Sequence, residues 1–184
     1  THAHLAVVIP CYNAGRRVQP VVEQVLKHVS RVIVVDDGST DGCLEPLRAL
    51  PVQFVSSPQN RGKGHALIAG FTAALEMPEV TAVAVLDADG QHNPAELPKL
   101  WSAFRHEHAD LLIGARQFGG GQVPLRSRFG NVLTASLTRV LLGATLPDTQ
   151  CGFRILSRAF ADAVVREVKG GRYETEMEII VKAI

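Results

Sequence analysis

The feature that most constrains this chain is an alternation of short, β-branched, largely apolar runs with stretches of helical periodicity. Leu5 to Ile9, Val32 to Val35, Val52 to Val55, Val83 to Leu86 and Leu111 to Ile113 read as strands. They lack the in–out alternation of a sheet with one wet face, which is the mark of strands covered on both sides. Between them Val18, Val22, Val25, Leu26 and Val29 recur at helical spacing, as do Leu67, Phe71, Ala74 and Leu75. Pro94 opens a further helix with Asn93 as its N-cap, and two more are expected around Ala159–Val168 and Glu174–Ala183. The pattern predicts an α/β domain with a mostly parallel sheet flanked by helices. No repeat, low-complexity tract or linker interrupts it, and 184 residues suit one domain with a sizeable core.

The formal net charge of +1 removes any global electrostatic argument for nucleic acid, so an anion site has to be local. No apolar run approaches the roughly 18–20 residues that cross a bilayer, and the first residues carry no signal-peptide pattern. Cys11, Cys43 and Cys151 are odd in number and not in metal-type pairs, which favours unpaired thiols in a reducing compartment. The expected location is therefore cytoplasmic.

Ala115 to Arg128 differs from the rest: Gly119, Gly120 and Gly121 stand beside Pro124, Arg116, Arg126 and Arg128. Three consecutive glycines give local propensity nothing to hold, and a mobile lid carrying guanidinium groups is expected. Phe129, Val132, Leu133, Leu137, Val140 and Leu141 after it form one helical stripe, suited to resting against a membrane surface.

Four segments stand where a parallel sheet builds its crevice, past the carboxyl ends of strands. In VVIPCYN (residues 7–13) Pro10 ends the strand, while Tyr12 and Asn13 offer an aromatic face and an amide to a planar ligand. In VIVVDDGSTDG (residues 32–42) Asp36 and Asp37 can accept hydrogen bonds from a base or ribose; capping of the next helix is the alternative. In AVLDADGQH (residues 84–92) an extended backbone would turn Asp87, Asp89 and Gln91 the same way, giving oxygen ligands for Mg²⁺ or Mn²⁺. In QNRGKGHALIAGF (residues 59–71) Lys63 and the amides of a helix start would favour a phosphate, without P-loop spacing.

In this order the four segments resemble the nucleotide-binding half of the family 2 inverting glycosyltransferases of GT-A fold, with a Rossmann-like sheet in a single domain. PDTQCGFR (residues 147–154) and RYETEMEI (residues 172–179) are similar to the polyprenyl-phosphate sugar synthases, the dolichol-phosphate mannosyltransferase-like branch. The resemblance implies a nucleoside pocket lined by Pro10, Tyr12, Asn13 and Asp37, with Asp36 in support. It implies Asp87, Asp89 and Gln91 around the metal and diphosphate, Asp89 being the main ligand. Arg116 and the Arg126-Ser127-Arg128 cluster would face the acceptor phosphate, and Asp148 and Arg154 would shape the sugar side. Asp89, Asp148, Arg116 and Arg126 are the implied catalytic residues. The implied partners are a nucleotide-sugar donor and a lipid phosphate acceptor, with peripheral contact at the inner face of the membrane. The donor would occupy a part of about 1–92 and the acceptor a part of about 93–184.

A polyprenyl phosphate is already ionised near neutral pH, because a phosphate monoester's second pKa is about 6. Such an acceptor needs no strong general base, which suits a chain in which neither His92 nor His65 is poised as one. A hydroxyl acceptor would need a base, for which Asp148 and Glu176 are candidates. Two other classes share the acids past strand ends. A sugar-1-phosphate nucleotidyltransferase expects a glycine-rich basic loop where PCYNAGRR stands. A receiver-like signalling domain expects one acid at the third strand end, where Val55, Ser56 and Ser57 stand.

Overall fold

The computed structural model of the chain describes residues 2–114, 153–171 and 174–183. Among these residues six strands form one sheet: β1 (Leu5–Cys11), β2 (Arg31–Asp36), β3 (Gln53–Ser56), β4 (Ala82–Val85), β5 (Leu111–Ile113) and β6 (Arg154–Ser157). Their spatial order is β3-β2-β1-β4-β6-β5. β1 runs parallel to β2 and β4, with Val8 opposite Ile33 on one side and Val85 on the other, and β2 runs parallel to β3. β6 is antiparallel to both β4 and β5.

Among the described residues five α-helices cover the sheet: α1 (Val18–Leu26), α2 (Lys63–Leu75), α3 (Leu97–Glu107), α4 (Arg158–Glu167) and α5 (Glu174–Lys182). Side-chain alternation along the central strands divides the core in two. Leu5, Val7, Ile9, Val32, Val34, Ala84 and Leu86 pack with Val18, Val22 and Val25 of α1 and Leu97, Trp101 and Phe104 of α3. Ala6, Val8, Ile33, Val35, Val83 and Val85 pack on the opposite face with Leu67 and Phe71 of α2, Phe160 and Val164 of α4 and Ile179 of α5. Gly70 lets α2 lie close: a Cβ there would sit 2.3 Å from Val8 Cγ1.

Helix entries follow the expected chemistry. Asn93 Oδ1 accepts a hydrogen bond from Ala95 N at 3.0 Å, capping a single 3₁₀ turn at Pro94–Glu96 that runs into α3. The structure departs from the sequence reading in the strands. β3 and β5 are edges, with Gln53, Phe54 and Ser56 exposed, so not every strand is covered on both faces. β6 was not foreseen, because its four residues run from Arg154 to Ser157 and offer little β-branched apolar signal. Ser157 Oγ, accepting from Phe160 N at 3.1 Å, also serves as the N-cap of α4. Arg158 then reaches across to the far end of α2, donating to the carbonyls of Leu75, Met77 and Val80. Leu75 is the last residue of that helix, where carbonyls lack helical partners and a guanidinium suits the negative pole.

Strand order reverses beside β1: the chain crosses from β1 to β2 on one side and enters β4 on the other. A crevice opens at such a switch point, beyond the carboxyl ends of the strands. The expected glycine-rich lid and the helix from Phe129 lie outside the described residues.

Candidate active site

A cleft of about 640 Å³ occupies that crevice, walled by the segments after β1, β2 and β4 and by the start of α2. Its first wall is pinned by side chains that bond across to the next loop. Asn13 takes a left-handed backbone (φ 47); its Oδ1 accepts from Thr40 N at 2.8 Å, and its own N donates to Ser39 Oγ at 3.1 Å. Gly15 N donates to Asp41 Oδ2 at 2.8 Å. Tyr12, held between these anchors, is 51% exposed and lines the cleft with Pro10. An aromatic face is thus presented on a rigid rim, while the Asn13 carbonyl oxygen is already committed.

The two acids after β2 do different work. Asp36 Oδ1 accepts from Ser39 N at 2.8 Å and closes the turn. Asp37 is buried, and its two oxygens accept from Arg61 N and Gly62 N, each at 2.8 Å. Gly38 (φ +78) allows this approach, since a Cβ there would meet Gln59 C at 2.7 Å. Gly64 N at the start of α2 donates to Gly171 O at 2.9 Å. Near the helix start expected to meet a phosphate, the amides of Arg61 and Gly62 are thus taken by the Asp37 carboxylate and that of Gly64 by Gly171.

Lys63 likewise has partners. Its Nζ lies 2.8 Å from Asp87 Oδ1 and 3.1 Å from Glu176 Oε1. Glu176 Oε1 also accepts from Arg154 at 2.9 Å, and Arg154 is buried at the start of β6. Burial of the Lys63 ammonium pulls its pKa down, but the charges of Asp87 and then Glu176, with hydrogen bonds to both, outweigh it and leave the pKa raised. Arg154 thus sits behind the cleft wall, acting on Glu176, and is not among the residues lining the cleft.

Asp87 and Asp89 both line the cleft, but Gln91 does not. The regular strand ends at Val85 and the chain turns at 88–90, with Gly90 at φ +76 and Gln91 N donating to Asp89 Oδ1 at 2.9 Å. The extended geometry that would align all three side chains stops short of them. Gln91 instead lines, together with Asp89, a neighbouring groove of about 510 Å³. His92 is buried with its ring edge-on to Phe153, centroids 6.2 Å apart, which suits a packed histidine.

Two cleft residues escaped the sequence reading. Arg17 lines both the main cleft and the neighbouring groove, and among the described residues it has no carboxylate partner. Its one sequence signal is the Arg16-Arg17 pair beside Gly15. Asn60 lines the cleft from the loop before α2. At the cleft floor Cys11 Sγ lies 3.6 Å from Cys43 Sγ, and both thiols are free. Burial, then the neighbouring Cys43, push the Cys11 pKa up to about 12. Arg116, Arg126, Ser127, Arg128 and Asp148 lie outside the described residues.

Fold and cleft together define a Rossmann-like α/β domain with a polar ligand crevice at its carboxyl edge. Residues 6–165 match the family model described as glycosyl transferase family 2, and the chain belongs to that family. It is 33% identical over 185 residues to the undecaprenyl-phosphate mannosyltransferase of Micrococcus luteus, covering 92% of this chain and 74% of that protein. It is 28% identical over 198 residues to the UDP-N-acetylglucosamine–dolichyl-phosphate N-acetylglucosaminyltransferase of Methanococcus voltae, covering 96% and 78%. The crystal structure of S. aureus TarS 1–349 superimposes with a TM-score of 0.63 at 20% identity, over 97% of this chain and 55% of that one. The fold is that of the GT-A glycosyltransferases.

Family members of this fold generally use a divalent metal ion. Among the described residues no group of three or more His, Cys, Asp or Glu side chains is placed to hold one. The acids present still fit a Mg²⁺-type ion, which needs only one or two carboxylates beside substrate phosphates and water. Asp87 and Asp89 lie in one cleft, and Asp87 Oδ1 is sealed from solvent with Lys63 as its charged neighbour.

Proposed function

We propose that this glycosyltransferase moves a sugar from a nucleotide-sugar donor to a polyprenyl phosphate, with inversion at the anomeric carbon. The observation that carries the donor half is the cleft itself, where the exposed Tyr12 ring, the Asp37 wall and the Asp87–Asp89 pair converge on one space. Its volume of about 640 Å³ is in the range of small-molecule sites. The acceptor half is supported by two relatives whose names specify transfer to undecaprenyl and dolichyl phosphate.

In this reading Tyr12 stacks on the base and Pro10 and Asn13 border it, while Asp37 shapes the pocket through the loop it holds. Asp87 and Asp89, with Gln91 reaching from the neighbouring groove, would hold Mg²⁺ or Mn²⁺. Such an ion supplies charge stabilisation for the leaving diphosphate, more in the transition state than in the ground state. Arg17 would meet the diphosphate as well, since it lines the cleft and among the described residues its guanidinium has no carboxylate partner. The acceptor phosphate is itself the nucleophile, so no side chain has to remove a proton from it. Arg116, Arg126, Ser127 and Arg128 are assigned to that phosphate, and Asp148 to the sugar side, with Arg154 acting there only through Glu176. The donor part is residues 1–92 and the acceptor part 93–184. No helix among the described residues is long and apolar enough to cross a membrane. Access to a lipid phosphate would then come through peripheral contact at the inner membrane face.

The test is a screen of nucleotide sugars by nucleotide release in Mn²⁺ or Mg²⁺, with and without a short-chain polyprenyl phosphate. Release that rises with the lipid phosphate, together with a lipid-linked sugar product, is the expected result. Release that follows a hydroxyl acceptor and ignores the lipid phosphate would refute the acceptor assignment.

A further inference from the structure

Lys63 holds a position that a metal ion bound by Asp87 would need. Its Nζ is 2.8 Å from Asp87 Oδ1, and that oxygen is closed to solvent. A divalent ion reaching this atom therefore has to displace the ammonium, because two cations cannot share one sealed carboxylate oxygen. The displaced ammonium keeps one partner, Glu176, at 3.1 Å. Glu176 is itself pinned by the buried Arg154 at 2.9 Å, so it cannot follow a moving lysine far. The Lys63 side chain is 28% exposed and lines the cleft, so its ammonium can swing towards an anion bound there.

We propose that Lys63 is an exchangeable counter-ion, released from Asp87 by a divalent cation and received by the diphosphate of the donor, so that the two ligands bind cooperatively. The proposal rests on the donor-site reading above. Metal alone would break the Lys63–Asp87 pair with nothing in return beyond Glu176. Metal with diphosphate gives the ammonium a new anion, and each ligand then raises the affinity of the other by the same factor. In this scheme Lys63 keeps Asp87 neutralised until the diphosphate arrives, and then pairs with the diphosphate itself.

The experiment measures Mn²⁺ affinity by electron paramagnetic resonance, with and without saturating UDP and GDP in turn, on the chain as described. The readout is the enhancement, meaning the ratio of the two Mn²⁺ dissociation constants. Removing a positive charge would by itself strengthen Mn²⁺ binding, but it would leave the enhancement unchanged. Lys63→Met is expected to bind Mn²⁺ alone about tenfold more tightly, and to lose about tenfold of the enhancement, within the ordinary range of coupling. Glu176→Gln removes the lysine's second partner without emptying the Asp87 pair, and it guards against a Lys63 variant that fails to fold. It should shift both quantities the other way, with weaker Mn²⁺ binding alone and a larger enhancement. Enhancement equal to wild type in both variants overturns the exchange. A wild-type chain that binds both ligands without enhancement overturns it too, and leaves the donor site standing. A wild-type chain that binds neither overturns the donor-site reading together with this proposal.

Discussion

Asp37 and Gly62 lie 25 positions apart in the chain, and the carboxylate of the first accepts the backbone amide of the second at 2.8 Å. The other oxygen of Asp37 takes the amide of Arg61 at the same distance. This one buried side chain ties the end of β2 to the entrance of α2, and so sets the width of the cleft between them. The sequence reading offered ligand contact or a cap of the next helix; the bonds Asp37 makes hold instead the loop before α2, beyond β3 in the chain.

Asp37→Ala is therefore expected to lower stability as well as nucleotide affinity. Two charge-assisted hydrogen bonds are lost, the one from Gly62 buried and the one from Arg61 partly so, which should cost about 2–4 kcal/mol. Urea denaturation gives the first quantity, and calorimetry with a nucleoside diphosphate gives the second. A variant of unchanged stability would show that the two amides find other partners.

Gly38→Ala and Gly42→Ala form a matched pair. Both glycines have positive φ, +78 and +73, but a Cβ at Gly38 would lie 2.7 Å from the backbone at Gln59, whereas at Gly42 nothing lies within 4 Å. The unfavourable backbone alone costs about 1–2 kcal/mol. Gly42→Ala should show only that loss in thermal unfolding. Gly38→Ala should show clearly more, because the 59–60 backbone has to move and Asp37 loses its alignment. Equal losses would mean that the loop yields freely.

Asp89→Ala should separate catalysis from folding. Asp89 sits in the turn at 88–90, partly exposed, and among the described residues it holds only the nearby Gln91 amide, at 2.9 Å. Its melting temperature should stay near that of the wild type. Metal-supported transfer should fall by about 100-fold or more, since a bridging cation supplies several kcal/mol. Transfer that persists in Asp89→Ala or in excess chelator would remove the metal from the mechanism.

Stability should decline in alkali through Cys11. Burial, then the neighbouring Cys43, raises its folded pKa from the ordinary 9.0 to about 12. The folded state thus holds its proton more tightly than the unfolded state does. The stabilisation is complete below about pH 9 and is lost as pH rises from there towards 12. Urea midpoints at pH 8 and pH 10 should differ more in the wild type than in Cys11→Ala, which cannot titrate. Parallel pH profiles would assign the alkaline loss to other groups.

The architecture was legible in the sequence wherever local pattern and tertiary role coincide. Buried central strands need apolar residues on both faces, so β1, β2 and β4 stand out as runs of valine, isoleucine and alanine. Helix starts need a cap, so Asn93-Pro94 announces the approach to α3. The acids at 36–37 and 87–89 were also visible, because a parallel sheet delivers whatever follows its strands to one edge.

What those side chains do there was decided only in three dimensions. A carboxylate takes the nearest donors, and sequence does not say which donors are near: Asp37 meets two amides of a loop 24 and 25 residues away. Lys63 sits between Asp87 and Glu176 because β4 and α5 converge on the start of α2, a relation between segments far apart in the chain. β6 earns its place by pairing with β4 and β5, not through its own four residues. Local sequence carries periodicity and turn chemistry, whereas the partner of a buried charge depends on which distant segments the hydrophobic core brings together.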